Sequence, residues 1–131
     1  MRKILVALGL VLCAAPANAD ANTRAAAQKA SKQMMEDAFI YLGAAYLCQD
    51  ALGTSHYYAA RSAVEQTAML GGKSQTDAVI IADDFDKRIR RDHQKKAPAE
   101  NDQKCLDSIL ATQTALRVSQ ARFKQARDAD K

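Results

Sequence analysis

Residues 34–52 read MMEDAFIYLGAAYLCQDAL. Met34, Ala38, Tyr41, Ala45, Cys48 and Leu52 recur at the alternating three- and four-residue spacing of an α-helix, and Met35, Phe39, Leu42 and Tyr46 form a second stripe beside the first. An apolar arc this wide cannot be covered by one neighbour. It predicts a helix at the centre of an all-helical protein, with partners on more than one side.

Upstream, Arg24 to Gln33 is rich in alanine but carries no large apolar side chain. The helix is therefore expected to start between Asn22 and Ser31, with residues 20–30 frayed, and to run to about Leu52. Downstream, Gly53, the pair Gly71-Gly72 and the run Ala97-Pro98-Ala99 are breaks in otherwise helical sequence. The absence of Trp, the low aromatic content and the lack of any alternating apolar pattern argue against strands.

These breaks predict three more helices. The second runs from about Ser55 to Leu70, capped by Thr54 or Ser55, with Tyr57, Ala60, Val64 and Ala68 facing inward. The third begins at Ser74, whose spacing to Asp77 resembles a capping box, and Ala78, Ile81, Ala82, Phe85 and Ile89 mark its inner face. It should fade near Lys96, ahead of Pro98. The fourth runs from Asn101 or Asp102 to about Arg127, with Cys105, Ile109, Thr112, Leu116 and Phe123 inward and Leu106, Leu110 and Ala121 widening that stripe. Short connections favour an antiparallel, up-down-up-down four-helix bundle forming one domain over residues 20–131.

The first nineteen residues predict something else. Arg2 and Lys3, an apolar run from Ile4 to Ala15, and Ala17-Asn18-Ala19 after Pro16 have the order of a cleavable signal peptide. The run is too short to span a membrane. Cys13 invites comparison with a lipoprotein signal, but that signal wants a small residue before the cysteine, and Leu12 is not small. The expected product is an exported protein starting at Asp20, periplasmic or, in a host without a periplasm, extracellular, with no transmembrane segment.

Losing Arg2 and Lys3 leaves 17 basic against 15 acidic side chains, a net charge of +2 in place of +4. So nearly balanced a chain in an exported compartment argues against nucleic acid as its partner. Cleavage also leaves only Cys48 and Cys105, which predicts a disulfide. Antiparallel packing of the first and fourth helices would bring both to one end, and the bridge should contribute about 4 kcal/mol through loop closure.

The search for chemistry finds no catalytic constellation: no CxxC, haem-attachment or zinc-type spacing, no phosphate loop and no nucleophile elbow. No cofactor is expected. His56 and His93 fall at the disulfide end, near Glu100 and Asp102, where a metal or pH-responsive cluster competes with plain exposure at helix ends. Met34 and Met35 read as core packing and not as copper ligands. Asp83, Asp84 and Asp86 precede Lys87, Arg88 and Arg90 by four residues, the spacing of solvated ion pairs.

Arg88, Arg91 and Lys95 could share one stripe facing a phosphate, an acidic polymer or an acidic protein, and Arg117, Lys124 and Arg127 form a second basic stripe. The expected function is that of a non-enzymatic interaction module of the bacterial envelope, an adaptor, inhibitor or assembly accessory acting on an envelope or secreted protein. A periplasmic stress chaperone or a small-ligand-binding protein is the alternative.

Overall fold

The computed structural model describes residues 17–93 and 102–131, with side chains from Asp20 onward. Cys13 and the rest of the predicted leader up to residue 16 lie outside the described residues, as do Lys95, Lys96, Pro98 and Glu100. The described chain is all-helical: α1 (Ala17–Leu47), α2 (Gln49–Leu52), α3 (Ser55–Leu70), α4 (Gln75–Asp92) and α5 (Asp102–Ala129).

The two stripes of residues 34–52 do what their spacing predicts. Met34, Ala38, Tyr41, Leu42, Ala45, Tyr46 and Cys48 are all buried, and α1 packs against α3, α4 and α5. The helix differs from expectation at both ends. It reaches back to Ala17 because alanine has the highest helix propensity and α5 is long enough to lie beside it, with Thr23 Oγ1 donating to Asp130 Oδ1 at 2.9 Å. It stops at Leu47 because Cys48, with φ −95° and ψ 6°, leaves helical geometry before the single turn of α2. Gly53, at φ +81°, then ends α2 in a conformation that favours glycine.

The α3–α4 connection follows from three residues. Gly72, at φ +94°, donates its N–H to Met69 O, while Lys73 donates to Ala68 O, the paired bonds of a Schellman motif. Ser74 Oγ then accepts from the Asp77 N–H at 3.1 Å and opens α4. Thr54 occupies the N-cap of α3, but its side chain makes no capping bond. α4 ends at Asp92, short of the predicted Lys96, because His93 adopts φ −126° and ψ 80°.

Contacts fix the relative directions of the helices. Cys48 and Cys105 are disulfide-bonded, with Cα atoms 5.5 Å apart, at the end of α1 and the start of α5; Thr23 and Asp130 meet at the opposite ends, so these helices are antiparallel. Tyr46 and Tyr57 rings lie 6.4 Å apart where α1 ends and α3 begins. At the other end of that pair, a Cβ on Gly71 would come within 3.3 Å of Met34 Cε. Phe39 and Phe85 meet edge to face at 5.1 Å between α1 and α4, which run the same way.

The packing is uneven. α5 rests on α1 and α2, whereas α4 rests on α3 and more lightly on α1; no extensive contact joins α5 to α3 or α4. α1 is thus a spine with α5 on one flank and the α3–α4 hairpin on the other. The expectation that Leu110 and Ala121 widen the inner stripe of α5 is overturned on this point: Leu110 is 52% exposed and Ala121 is exposed. A helix with one main neighbour buries a narrower arc. Ser119, which carried no apolar signal, is buried in that arc with its hydroxyl donating to Leu116 O at 3.0 Å.

Candidate functional site

A groove of about 300 Å³ runs along α1 on the side where α4 and α5 do not meet. Ile40, Gly43 and Leu47 form its floor, Ile89 and His93 its α4 wall, and Ser108 and Thr112 its α5 wall. Ile40 is 54% exposed there although it stands in the most apolar stretch of the chain. Gly43 sits inside α1, where glycine costs roughly 0.5–1 kcal/mol relative to alanine. No close approach requires it, since an added Cβ would meet nothing within 4 Å. Its effect is a groove floor without side chains at that point.

Arg88 of α4 stands at the edge of this groove, and the pairing of the charged side chains on α4 departs from the four-residue spacing. Only Asp86 and Arg90 pair as expected, at 2.8 Å. Asp83 instead accepts from Arg61 of α3, and that hydrogen bond holds its carboxyl below the usual range against the opposing effect of desolvation. Arg61 also approaches Glu65, at 3.7 Å. Arg88 does not pair with Asp84; its guanidinium lies 4.9 Å over the Phe39 ring, itself on the groove wall. Arg91 is exposed and meets only its neighbour Asp92, at 3.1 Å.

Two aspartates expected to neutralise the basic stripe are therefore occupied, Asp83 by another helix and Asp86 by Arg90. Lys87, Arg88 and Arg91 are left exposed, Arg88 in no ion pair among the described residues and Arg91 paired only with its chain neighbour Asp92. Arg90, by contrast, is drawn inward over Tyr46 at 5.3 Å and Tyr57 at 5.9 Å, and its bond to Asp86 stabilises its charge. Lys95, the third predicted member of the stripe, lies outside the described residues.

His56 and His93 both lie at the end of the molecule that carries the disulfide. His56 is half-buried in the first turn of α3, and His93 is exposed after the last turn of α4, where its backbone N–H donates to Ile89 O at 2.8 Å. The two are brought to one end but not into a shared cluster. Among the described residues, no group of three or more His, Cys, Asp or Glu side chains is placed to hold a metal ion. Asp102 is exposed at the start of α5, and Glu100 lies outside the described residues.

On the second basic stripe, Arg127 pairs with Asp128 and lies 5.7 Å over Phe123, while Lys124 is exposed. Arg117 has a different setting. It borders a second groove, on the other side of α5, where α3 forms the facing wall. Helical spacing does not reveal this groove, because it marks Tyr41 simply as core. The weak apolar pattern of α5 toward α3, with Gln113, Arg117 and Gln120 on that edge, is the signal that could have exposed it.

No protein-family model, curated protein or solved structure matches this chain.

Proposed function

We propose that this protein is an exported, non-enzymatic interaction module of the bacterial envelope, acting from the periplasm as an adaptor, inhibitor or assembly accessory. In this reading the helices make up an antiparallel, up-down-up-down four-helix bundle released by removal of residues 1–19. Its partner is an envelope or secreted protein with an acidic surface that meets α4.

The observation that carries the reading is the redistribution of charge on α4. With Asp83 bound to Arg61 and Asp86 to Arg90, Arg88 stands over the Phe39 ring at the edge of the Ile40 groove in no ion pair among the described residues, with Lys87 and Arg91 exposed on the same helix. An acidic partner with an apolar side chain satisfies both features at once. The charged rim supplies orientation and encounter rate, and the apolar floor supplies buried area.

Three perturbations test this. Replacing Arg88, Arg91 and Lys95 by Gln, or adding salt, should reduce capture of a defined envelope protein by the immobilised mature chain while leaving helical content intact. Ile40→Asp should reduce it at every salt concentration. Capture that is insensitive to all three changes overturns the reading. Suppression of aggregation of unrelated unfolded proteins, equal in the wild type and the triple variant, would favour a chaperone instead.

A further inference from the structure

α5 carries more apolar surface than its neighbours cover. It is 28 residues long and rests on α1 and, at its start, on α2, so the side turned away from α1 is open. On that side Asp107, Ala111, Thr114, Val118 and Arg122 recur at three- and four-residue spacing and are all exposed, with Leu110 beside them. Leu110 is 52% exposed and Val118 44%, although Leu110 belongs to the apolar stripe of the sequence. Between these two, on the same side, Ala111, Thr114 and Ala115 have only small side chains. Arg117, the one long side chain exposed in that interval, lies over the groove toward α3.

Charge frames this stripe symmetrically. Asp107 stands seven residues before Thr114, and Arg122 seven residues after Ala115. Asp107 accepts from Gln103 Nε2 at 2.9 Å, and neither Asp107 nor Arg122 makes an ion pair among the described residues. At 1.5 Å per residue they lie about 22 Å apart along the helix, too far to pair with each other. Two copies of α5 laid antiparallel about an axis between Thr114 and Ala115 bring Asp107 of each copy to Arg122 of the other. The same operation brings Leu110 of one copy beside Val118 of the other, and sets the small residues at the axis, where they let the helices approach closely. A parallel pair would oppose Asp107 to Asp107 and Arg122 to Arg122.

We propose that the outer face of α5 is a self-association surface, on which a second copy of this chain docks antiparallel across a two-fold axis at Thr114 and Ala115. Leu110 and Val118 are covered there, and two Asp107–Arg122 pairs close the ends. A stripe whose charges match their own image under a two-fold selects a second copy over a partner of uniform sign. A contact limited to roughly four turns of one helix is small, so the dimer is a weak one. It uses none of the residues assigned to the α4 interaction and stands or falls separately from it.

Sedimentation equilibrium of the mature, oxidised protein between about 10 μM and 1 mM tests this and should show a monomer–dimer equilibrium with no larger species. Leu110→Glu combined with Val118→Glu should abolish the dimer. Asp107→Arg and Arg122→Asp should each weaken it roughly tenfold, since each replaces two ion pairs by two like-charge contacts. An equimolar mixture of these two charge variants should recover the dimer, because in the mixed pair every introduced charge meets its opposite. All four positions are exposed, so circular dichroism should show unchanged helical content in every variant. The proposal is overturned by a monomer at all these concentrations, by a dimer indifferent to the Leu110 and Val118 substitutions, or by folded charge variants that dimerise like the wild type or fail to recover on mixing.

Discussion

Arg61 of α3 donates to Asp83 of α4 and, from its other side, approaches Glu65 one turn further along its own helix. This contact ties the hairpin together across its middle and removes Asp83 from the charge balance of α4. Because the bond lowers the Asp83 pKa, the stabilisation it gives is present above the ordinary aspartate range and is lost as pH falls through the lowered value. The wild type should have a higher Tm than Asp83→Asn at pH 6, and the difference should shrink as the pH falls below the ordinary aspartate range and through the lowered value. Thermal melts of both proteins across that interval check the sign; a constant difference would show that Asp83 acts by another route.

Replacing Cys48 and Cys105 together by Ser should lower Tm by roughly 10–15 °C, corresponding to a loss of a few kcal/mol. The bridge closes a loop of sequence separation 57 and fastens the start of α5. On the proposed reading its role is structural, so the proposed interaction through α4 should survive at temperatures where the double variant remains folded. Calorimetry gives the first quantity and partner capture in the cold gives the second.

Three small residues should respond with opposite signs. Gly72→Ala places a side chain at φ +94° and should cost about 1–2 kcal/mol, and Ser74→Ala should cost about 1 kcal/mol by removing the α4 cap. Gly43→Ala should instead stabilise by roughly 0.5–1 kcal/mol, since it improves helix propensity and its methyl group meets no neighbour. Urea denaturation of the single variants measures all three.

Intact-mass analysis of protein expressed with its leader should show a chain beginning at Asp20 and no added lipid. A species beginning at Cys13 with acyl mass would contradict both the cleavage site and the charge calculated for the mature chain.

Helix-ending chemistry was legible because it is local: Gly71-Gly72 followed by Ser74 and Asp77 needs no information from elsewhere in the chain. The inner faces of α1, α3 and α4 were legible because burial on them follows helical period, as at Tyr57, Ala60, Val64 and Ala68. Pairings between helices were not. Asp83 is equally spaced for Lys87, and nothing in the sequence states that Arg61 will be across from it. Leu110 and Ala121 were misassigned for the same reason, since the arc that α5 buries depends on how many helices it touches. Both grooves arise from that uneven packing. Neither could be read from a pattern that describes one helix at a time.

The attachment of α5 to α1 also bears on how the chain reaches this structure. The α3–α4 hairpin joins neighbours through a short turn, so it can form early with little loop-closure entropy to overcome. The α1–α5 pairing joins segments as far apart as Thr23 and Asp130, a separation of 107 residues. It is the long-range step and should be the slow one. Until it is complete, Cys48 and Cys105 remain apart, so formation of the native disulfide reports the arrival of α5.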